Sequence, residues 1–310
     1  MTATFSIALH GGAGTIRKDA LTNAKSRLYH EALRHALEQG ASILRATGTA
    51  LDAVTATVMA LEDEPLFNAG RGAVFNSDGK QEMDAALMDG RTRRAGAVAG
   101  IFGPRHPVLA ARAVMERTPH VLMIGDSAVQ VARVAGLEFA DDAHFFTDER
   151  WQALQATLAM RQRGVEDDDP ARRHGTVGAV ARDRAGNLAA ATSTGGMTAK
   201  TPGRVGDTPV IGAGTWACNT SCAVSATGHG EVFIRFAAAH EIAARMRHGA
   251  QSLRDAARAV VMQDLALNDG SGGLIAVDVA GCVVMPFNCE GMYRAAIERE
   301  GAPLSFIHED

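Results

Sequence analysis

Apolar positions recur along this chain at two spacings, and the change from one to the other predicts its elements. Residues 5 to 9 form a short apolar run that reads as a strand ending at the turn His10-Gly11-Gly12-Ala13-Gly14. Residues 23 to 46 and 50 to 63 then read as two helices. In the second, Leu51, Val54, Val58 and Leu61 return at helical intervals and form one stripe, while Thr49 and Asp52 have capping-box spacing. Runs at 83 to 88 and 95 to 102, bounded by Asp-Gly and Gly-Pro, predict strands. A helix near 106 to 117, a strand at 120 to 124 and a helix near 127 to 135 follow, Asp126 or Ser127 serving as N-cap.

The stretch from Arg161 to Gly175, RQRGVEDDDPARRHG, is almost wholly polar and contains Pro170, so it reads as a mobile surface linker. After it the pattern turns strand-like. Residues 176 to 182 and 187 to 194 predict a hairpin, and 273 to 279 with 282 to 287 repeat the device around Ala280-Gly281. Apolar runs near 210 to 217 and 222 to 227, and helices near 230 to 247 and 251 to 266, lie between the hairpins. Helices grouped between antiparallel hairpins predict layered α+β structure rather than a doubly wound parallel sheet. No internal repeat interrupts the 310 residues.

Composition narrows the function. With 46% apolar and 21% charged residues the chain can bury a real core. A net charge of -4 and only 5% aromatic residues argue against nucleic acid as a partner. Cys218, Cys222, Cys282 and Cys289 match no zinc or redox spacing and read as reduced core thiols. The N-terminus lacks the features of a signal peptide, and no run of about 18 apolar residues could cross a bilayer. The expectation is a cytoplasmic protein with no membrane partner.

Several familiar signatures fail. His240-Glu241 begins a zinc motif, but Ala244 stands where the second histidine is needed. Gly125-Asp126-Ser127 has no nucleophile elbow around it, and neither a dinucleotide fingerprint nor a phosphate loop occurs. His10-Gly11-Gly12 is a strand-ending turn that can still line a site.

What remains is a concentration of Gly, Thr and small polar residues in the second half. In Gly175-Thr176-Val177-Gly178 a polar linker meets a strand. A threonine hydroxyl is a poor nucleophile unless a base takes its proton, and an N-terminal threonine carries that base as its own α-amine. Such an amine titrates near pH 7.7 to 8, close to what general-base work at neutral pH requires. On these residues alone, Thr176 reads more readily as simply the first residue of a strand.

Further blocks favour the chemical reading. They are Thr192-Ser193-Thr194-Gly195-Gly196-Met197, Pro202-Gly203-Arg204-Val205-Gly206-Asp207 and Thr227-Gly228-His229-Gly230-Glu231. Together with His10 to Gly14 and Pro65-Leu66-Phe67-Asn68-Ala69-Gly70, they strongly resemble the plant-type (type III) L-asparaginase and isoaspartyl peptidase family of N-terminal-nucleophile hydrolases, from about residue 5 to 295. The resemblance implies a four-layer αββα sandwich made as one precursor that cuts itself at Gly175-Thr176. An α chain of 1 to 175 and a β chain of 176 to 310 then stay associated, commonly as a homodimer of cleaved αβ units. It implies that Thr176 is the nucleophile, that Thr194 supports it, and that Thr227 and Gly228 form an oxyanion hole. Asn68 orients the nucleophile. Arg204 and Asp207, with Gly230, hold the α-carboxylate and α-amine of a small substrate, asparagine or a β-aspartyl dipeptide. It further implies a structural sodium ion on backbone carbonyls of the stretch from Leu61 to Arg71, at Leu61, Glu62, Glu64, Phe67, Ala69 and Arg71, with no cofactor in the chemistry. His174, two residues before the nucleophile, and Glu64, inside the sodium stretch, depart from the family pattern.

The assigned roles are also physically apt. A planar arginine fork matches a carboxylate, and an aspartate three residues on can pair with an ammonium group. The entry to an apparent helix after Gly228 favours developing negative charge. Glycosylasparaginases and threonine aspartases share the fold and nucleophile, although the signal and the Asp before Thr that mark the first are lacking here. A non-enzymatic binding module on the same fold is the remaining alternative.

Overall fold

The computed structural model describes residues 4–19, 21–164 and 175–309. The elements in chain order are β1 (Ser6–Gly14), α1 (Asn23–Arg45), α2 (Ala50–Asp63), β2 (Met83–Asp89), β3 (Ala95–Ile101), α3 (Pro107–Arg117), β4 (Leu122–Ile124) and α4 (Gly125–Val134). The helices α5 (Asp142–Phe145) and α6 (Asp148–Gln162) follow. After Gly175 come β5 (Val177–Arg182), β6 (Leu188–Thr194), β7 (Thr215–Ala217), β8 (Cys222–Gly228), α7 (Gly230–Phe236), α8 (Ala238–Gly249) and α9 (Leu253–Ala259). The strands β9 (Gly272–Asp278), β10 (Val283–Val284), β11 (Gly291–Ile297) and β12 (Leu304–Phe306) follow.

Eight strands form one sheet in the order β12-β11-β1-β5-β6-β2-β3-β4, and four form a second in the order β10-β9-β8-β7. The helices α1, α2 and α3 cover one face of the large sheet, the small sheet packs on the other, and α8 and α9 lie outside it. The result is the expected four-layer αββα sandwich.

Alternation along the central strands divides the interior. In β5 and β6, Ala179, Ala181, Ala189 and Ala191 face the core shared with α1 to α3, while Val180, Leu188 and Ala190 face the core between the sheets. The outer helix pair is closely joined: a Cβ at Gly40 of α1 would lie 2.2 Å from Thr57 Oγ1 and 2.5 Å from Ile7 Cδ1. Thr22 caps α1 and Thr49 caps α2, the latter accepting from the backbone N–H of Asp52 at 3.1 Å.

Several expectations need correcting. The first strand continues through the glycines to Gly14 because β11 pairs with it across a bulge between His10 and Gly12. The polar stretch expected to be linker from Arg161 begins as helix, since α6 runs to Gln162. The rest of that reading, including His174, falls on 165–174, outside the described residues. The helix expected over 230 to 247 is broken at Ala237, whose φ is 46°, and the one over 251 to 266 becomes a π turn at Val260–Leu265. Neither Asp126 nor Ser127 caps α4, which starts at Gly125. All four cysteines are free thiols, but only Cys218 and Cys222 are buried.

Candidate active site

The antiparallel pairing of β5 and β6 puts Val177 opposite Ser193. Thr176 and Thr194, one residue beyond each, therefore meet at the same end of the sheet. The buried Thr176 hydroxyl donates to Thr194 Oγ1 at 3.1 Å. Thr194 Oγ1 in turn donates to the Gly175 carbonyl at 3.0 Å and accepts from Gly196 N at 2.9 Å.

Asn68 reaches the same carbonyl from the turn after α2. Its Nδ2 donates to Gly175 O at 2.7 Å and to Gly196 O at 2.7 Å, while its Oδ1 accepts from Val74 N at 2.9 Å. With both amide hydrogens and the carbonyl engaged, the Asn68 side chain has one orientation. The Gly175 carbonyl thus receives two donors, an arrangement suited to holding developing charge on that oxygen.

The glycine-rich end of β1 lies directly against this bond. A Cβ at Gly12, where φ is +112°, would sit 3.1 Å from Gly175 Cα and 3.4 Å from Thr176 N. Such a φ itself disfavours a side chain. The ring of His10 is buried, with Nδ1 2.9 Å from Thr176 O and Nε2 2.9 Å from Ser225 Oγ. Burial drives its pKa down to about 3, so the ring is neutral. From Ser225 the hydroxyl chain continues to Thr192 Oγ1 at 2.8 Å and Thr215 Oγ1 at a further 2.7 Å, and Thr215 Oγ1 lies 3.1 Å from Thr208 O. Sequence reading left His10 without a role and missed Ser225 altogether. The only signal was the histidine beside two glycines.

On the far side of Thr176 a small cavity is lined by Thr176, Thr194, Arg204, Asp207 and Gly228. Asp207 is buried, and its Oδ2 has no hydrogen-bond partner among the described residues. Desolvation raises its pKa to about 7, against a smaller lowering by its own backbone N–H and by Arg204. Gly230 makes the close approach possible, since a Cβ there would lie 2.8 Å from Asp207 Oδ1 and 3.1 Å from Arg204 NH2. The Arg204 fork is engaged by Glu231, with Nε and NH2 each 2.8 Å from a carboxylate oxygen. Glu231 stood in a quoted block without a role, and its pairing was not legible from spacing.

Thr227, next to last in β8, is fully buried, and its Oγ1 accepts from Ala13 N at 3.3 Å. Gly228, with φ at +151°, lines the Thr176 cavity. The helix after them, α7, has only seven residues, so it contributes less dipole than the long helix expected there.

The stretch from Leu61 to Arg71 packs its carbonyls around two glycines. A Cβ at Gly70 would lie 2.4 Å from Glu62 O, and one at Gly72 would lie 2.0 Å from Phe67 O and 2.6 Å from Pro65 O. Leu61 O accepts from Glu64 N at 3.3 Å and Ala69 O from Gly72 N at 3.1 Å. The Glu62 side chain turns inward instead, accepting from Ser193 Oγ at 2.6 Å and Val108 N at 3.0 Å. Glu64 keeps its carboxylate local, accepting from Leu66 N at 3.3 Å.

A four-layer sandwich with a threonine at the head of a central strand is the fold of the N-terminal-nucleophile hydrolases. Comparison with known proteins agrees and is more specific. The chain belongs to the asparaginase family, whose model matches residues 3–307. It is 54% identical to an isoaspartyl peptidase of Salmonella typhimurium, over 98% of each chain. It is 53% identical to an isoaspartyl peptidase of Escherichia coli, over 98% of this chain and 96% of the relative. A plant-type L-asparaginase of Thermococcus kodakarensis is 42% identical over 93% of this chain and 94% of its own.

Proposed function

We propose that this chain is an amidohydrolase that cuts itself between Gly175 and Thr176 and then cleaves β-aspartyl dipeptides and the side-chain amide of L-asparagine, releasing L-aspartate. The observation that carries this reading is the Gly175 carbonyl held at 2.7 Å by Asn68 and 3.0 Å by Thr194, with the Thr176 hydroxyl on the same threonine. In the first reaction Thr176 Oγ adds to the Gly175 carbonyl carbon, and Asn68 and Thr194 hold the oxyanion. The C–N bond breaks as the threonine nitrogen takes up a proton. Water then hydrolyses the resulting ester, giving the Gly175 carboxylate and a free α-amine on Thr176. That amine becomes the base for the second reaction.

In the second reaction Asp207, whose Oδ2 lacks a partner, receives the substrate's ammonium group, and Arg204 receives its α-carboxylate. Both backbone ends of the aspartyl unit are then fixed, so its side-chain carbonyl faces Thr176. Thr227 and Gly228 supply the oxyanion site. Ordinary α-linked Asp-X peptides lack the free carboxylate and leave Arg204 unmatched, which excludes them. Glu231 must yield or share the Arg204 fork when substrate enters. The carbonyl-lined turn from Leu61 to Arg71 fits a sodium ion through the carbonyls of Leu61, Glu62, Glu64, Phe67, Ala69 and Arg71. Its crowded oxygens around Gly70 and Gly72 are the kind of donor a hard monovalent cation takes. Bound there, the ion neutralises carbonyl repulsion and so stiffens the turn that carries Asn68.

The mature form in this reading is a cytoplasmic homodimer of αβ units. No helix among the described residues is long and apolar enough to cross a membrane. Intact-mass measurement of the purified protein tests the reading directly. A fragment beginning at Thr176 that hydrolyses β-Asp-Leu but not α-Asp-Leu is expected. A chain that stays whole for days, or equal turnover of the two dipeptides, would overturn it.

A further inference from the structure

Gly175 lines two cavities. One is the Arg204–Asp207 cavity, and the other is a space of about 210 Å³ lined by Gly12, Asn68 and Gly175. That volume is many times what a single water needs and is ample for an amino-acid residue. Its walls include Tyr29, Asn68, Arg150 and Tyr293.

The Tyr29 and Tyr293 rings stack with centroids 4.0 Å apart and present an apolar wall. The half-buried Arg150 lines the space with its guanidinium. Its Nε donates to Gly72 O at 2.9 Å and its NH2 to Leu66 O at 3.3 Å. Those two bonds use two of five N–H donors. Among the described residues no carboxylate within ion-pair distance of Arg150 is found, and the neighbouring Glu149 instead meets Lys25 Nζ at 3.3 Å on the exposed rim. A half-buried guanidinium with unused N–H donors and no carboxylate on it among the described residues offers an anion charge-assisted hydrogen bonds, so a cavity it lines is suited to one.

We propose that this cavity is the subsite for the leaving residue of a β-aspartyl dipeptide, with Arg150 receiving that residue's terminal carboxylate and the tyrosine pair its apolar side chain. The proposal rests on the function proposed above. With the aspartyl unit held by Arg204 and Asp207 in the first cavity, the second cavity, which shares Gly175 with it, is the adjoining space left for the departing residue. Asparagine releases only ammonia and leaves the subsite empty. Arg150 is therefore a specificity residue that separates peptide hydrolysis from amide hydrolysis.

The test compares β-Asp-Leu, β-Asp-leucinamide and L-asparagine as substrates of the self-cut wild-type protein and of Arg150→Met. For the wild type, kcat/KM is expected to fall about 10- to 100-fold when the carboxylate becomes an amide, the range for losing a charge-assisted hydrogen bond. Arg150→Met should lose that discrimination, and its loss on β-Asp-Leu should exceed its loss on asparagine at least tenfold. Equal turnover of acid and amide by the wild type, as when the carboxylate of Gly175 itself stays on Arg150, overturns the subsite and leaves the function standing. Failure of the self-cut protein to hydrolyse either asparagine or β-Asp-Leu overturns the function and the subsite together.

Discussion

The two sides of Thr176 are finished to different degrees. Toward Gly175 the supporting side chains are engaged: both Asn68 amide hydrogens, the Asn68 carbonyl and the Thr194 hydroxyl all have partners between 2.7 and 3.0 Å. Toward Arg204 the wall is incomplete, with a buried aspartate oxygen that has no partner among the described residues and an arginine fork held by a half-exposed glutamate. On the proposed function, the difference follows from what each side acts on. A peptide bond within the chain needs no recognition and is best served by a rigid, saturated frame. A diffusing substrate must supply hydrogen bonds that the empty site leaves unmade, and those unmade bonds are its selectivity.

Four measurements bear on this contrast. The largest effect is expected for Thr176→Ala, which removes the nucleophile of both reactions: intact mass should show an uncut chain with no hydrolysis, whereas Thr176→Ser keeps a hydroxyl and should cut slowly. Rapid cutting of the alanine variant would mean that a foreign protease does the work. Asn68→Ala removes one of two donors to the scissile carbonyl and should slow cleavage by about 10²- to 10³-fold, followed by gel densitometry over time. An unaltered rate would show that Thr194 alone suffices.

Arg204→Ala should act on the other side only. The expected loss in kcat/KM for asparagine is roughly 2 to 4 kcal/mol, as for removing one partner of a desolvated charge pair, with the cleavage rate within about twofold of wild type. Slowing of both reactions alike would erase the distinction between the sides. The smallest effect is the pH dependence of Asp207, whose pKa is raised to about 7 chiefly by burial. Only its ionised form pairs with an ammonium group, so KM for asparagine should fall as pH rises through about 7. Stability moves the other way. The folded state keeps a proton that the unfolded chain has lost above about pH 4, so this group's contribution declines from about pH 4 to 7 and is level above. Asp207→Asn should flatten both slopes, read by kinetics and by urea melts across pH.

Legibility in the sequence followed the strength of local signals. The stripe and cap of α2 and the hairpin of β5 and β6 were readable because pattern and turn chemistry agreed. Helix α6 was not, because it sits at the surface and only Leu154 and Thr157 are buried. The strands β11 and β12 went unseen for a different reason: β11 takes its place beside β1 by pairing across nearly the whole chain, and β12 is held only by β11. That same pairing carries β1 past glycines that would ordinarily end a strand. At the site, the threonines and the Arg204–Asp207 pair stood out as blocks, whereas His10, Ser225 and Glu231 are single residues whose partners lie 27 to 215 positions away.

The strand order β12-β11-β1-β5-β6-β2-β3-β4 has a consequence for the molecularity of folding. A cut at Gly175 would assign β1, β2, β3 and β4 to one polypeptide and the other four to a second. Strand β1 would then lie between two strands of its partner, and the pair β5 and β6 between two of its own partner's. The precursor thus folds as a single chain in a unimolecular process, at a rate independent of concentration. Once cut, the same sheet could re-form only by a bimolecular encounter, so refolding yield would fall on dilution and persistence of the native form would be set by its unfolding rate.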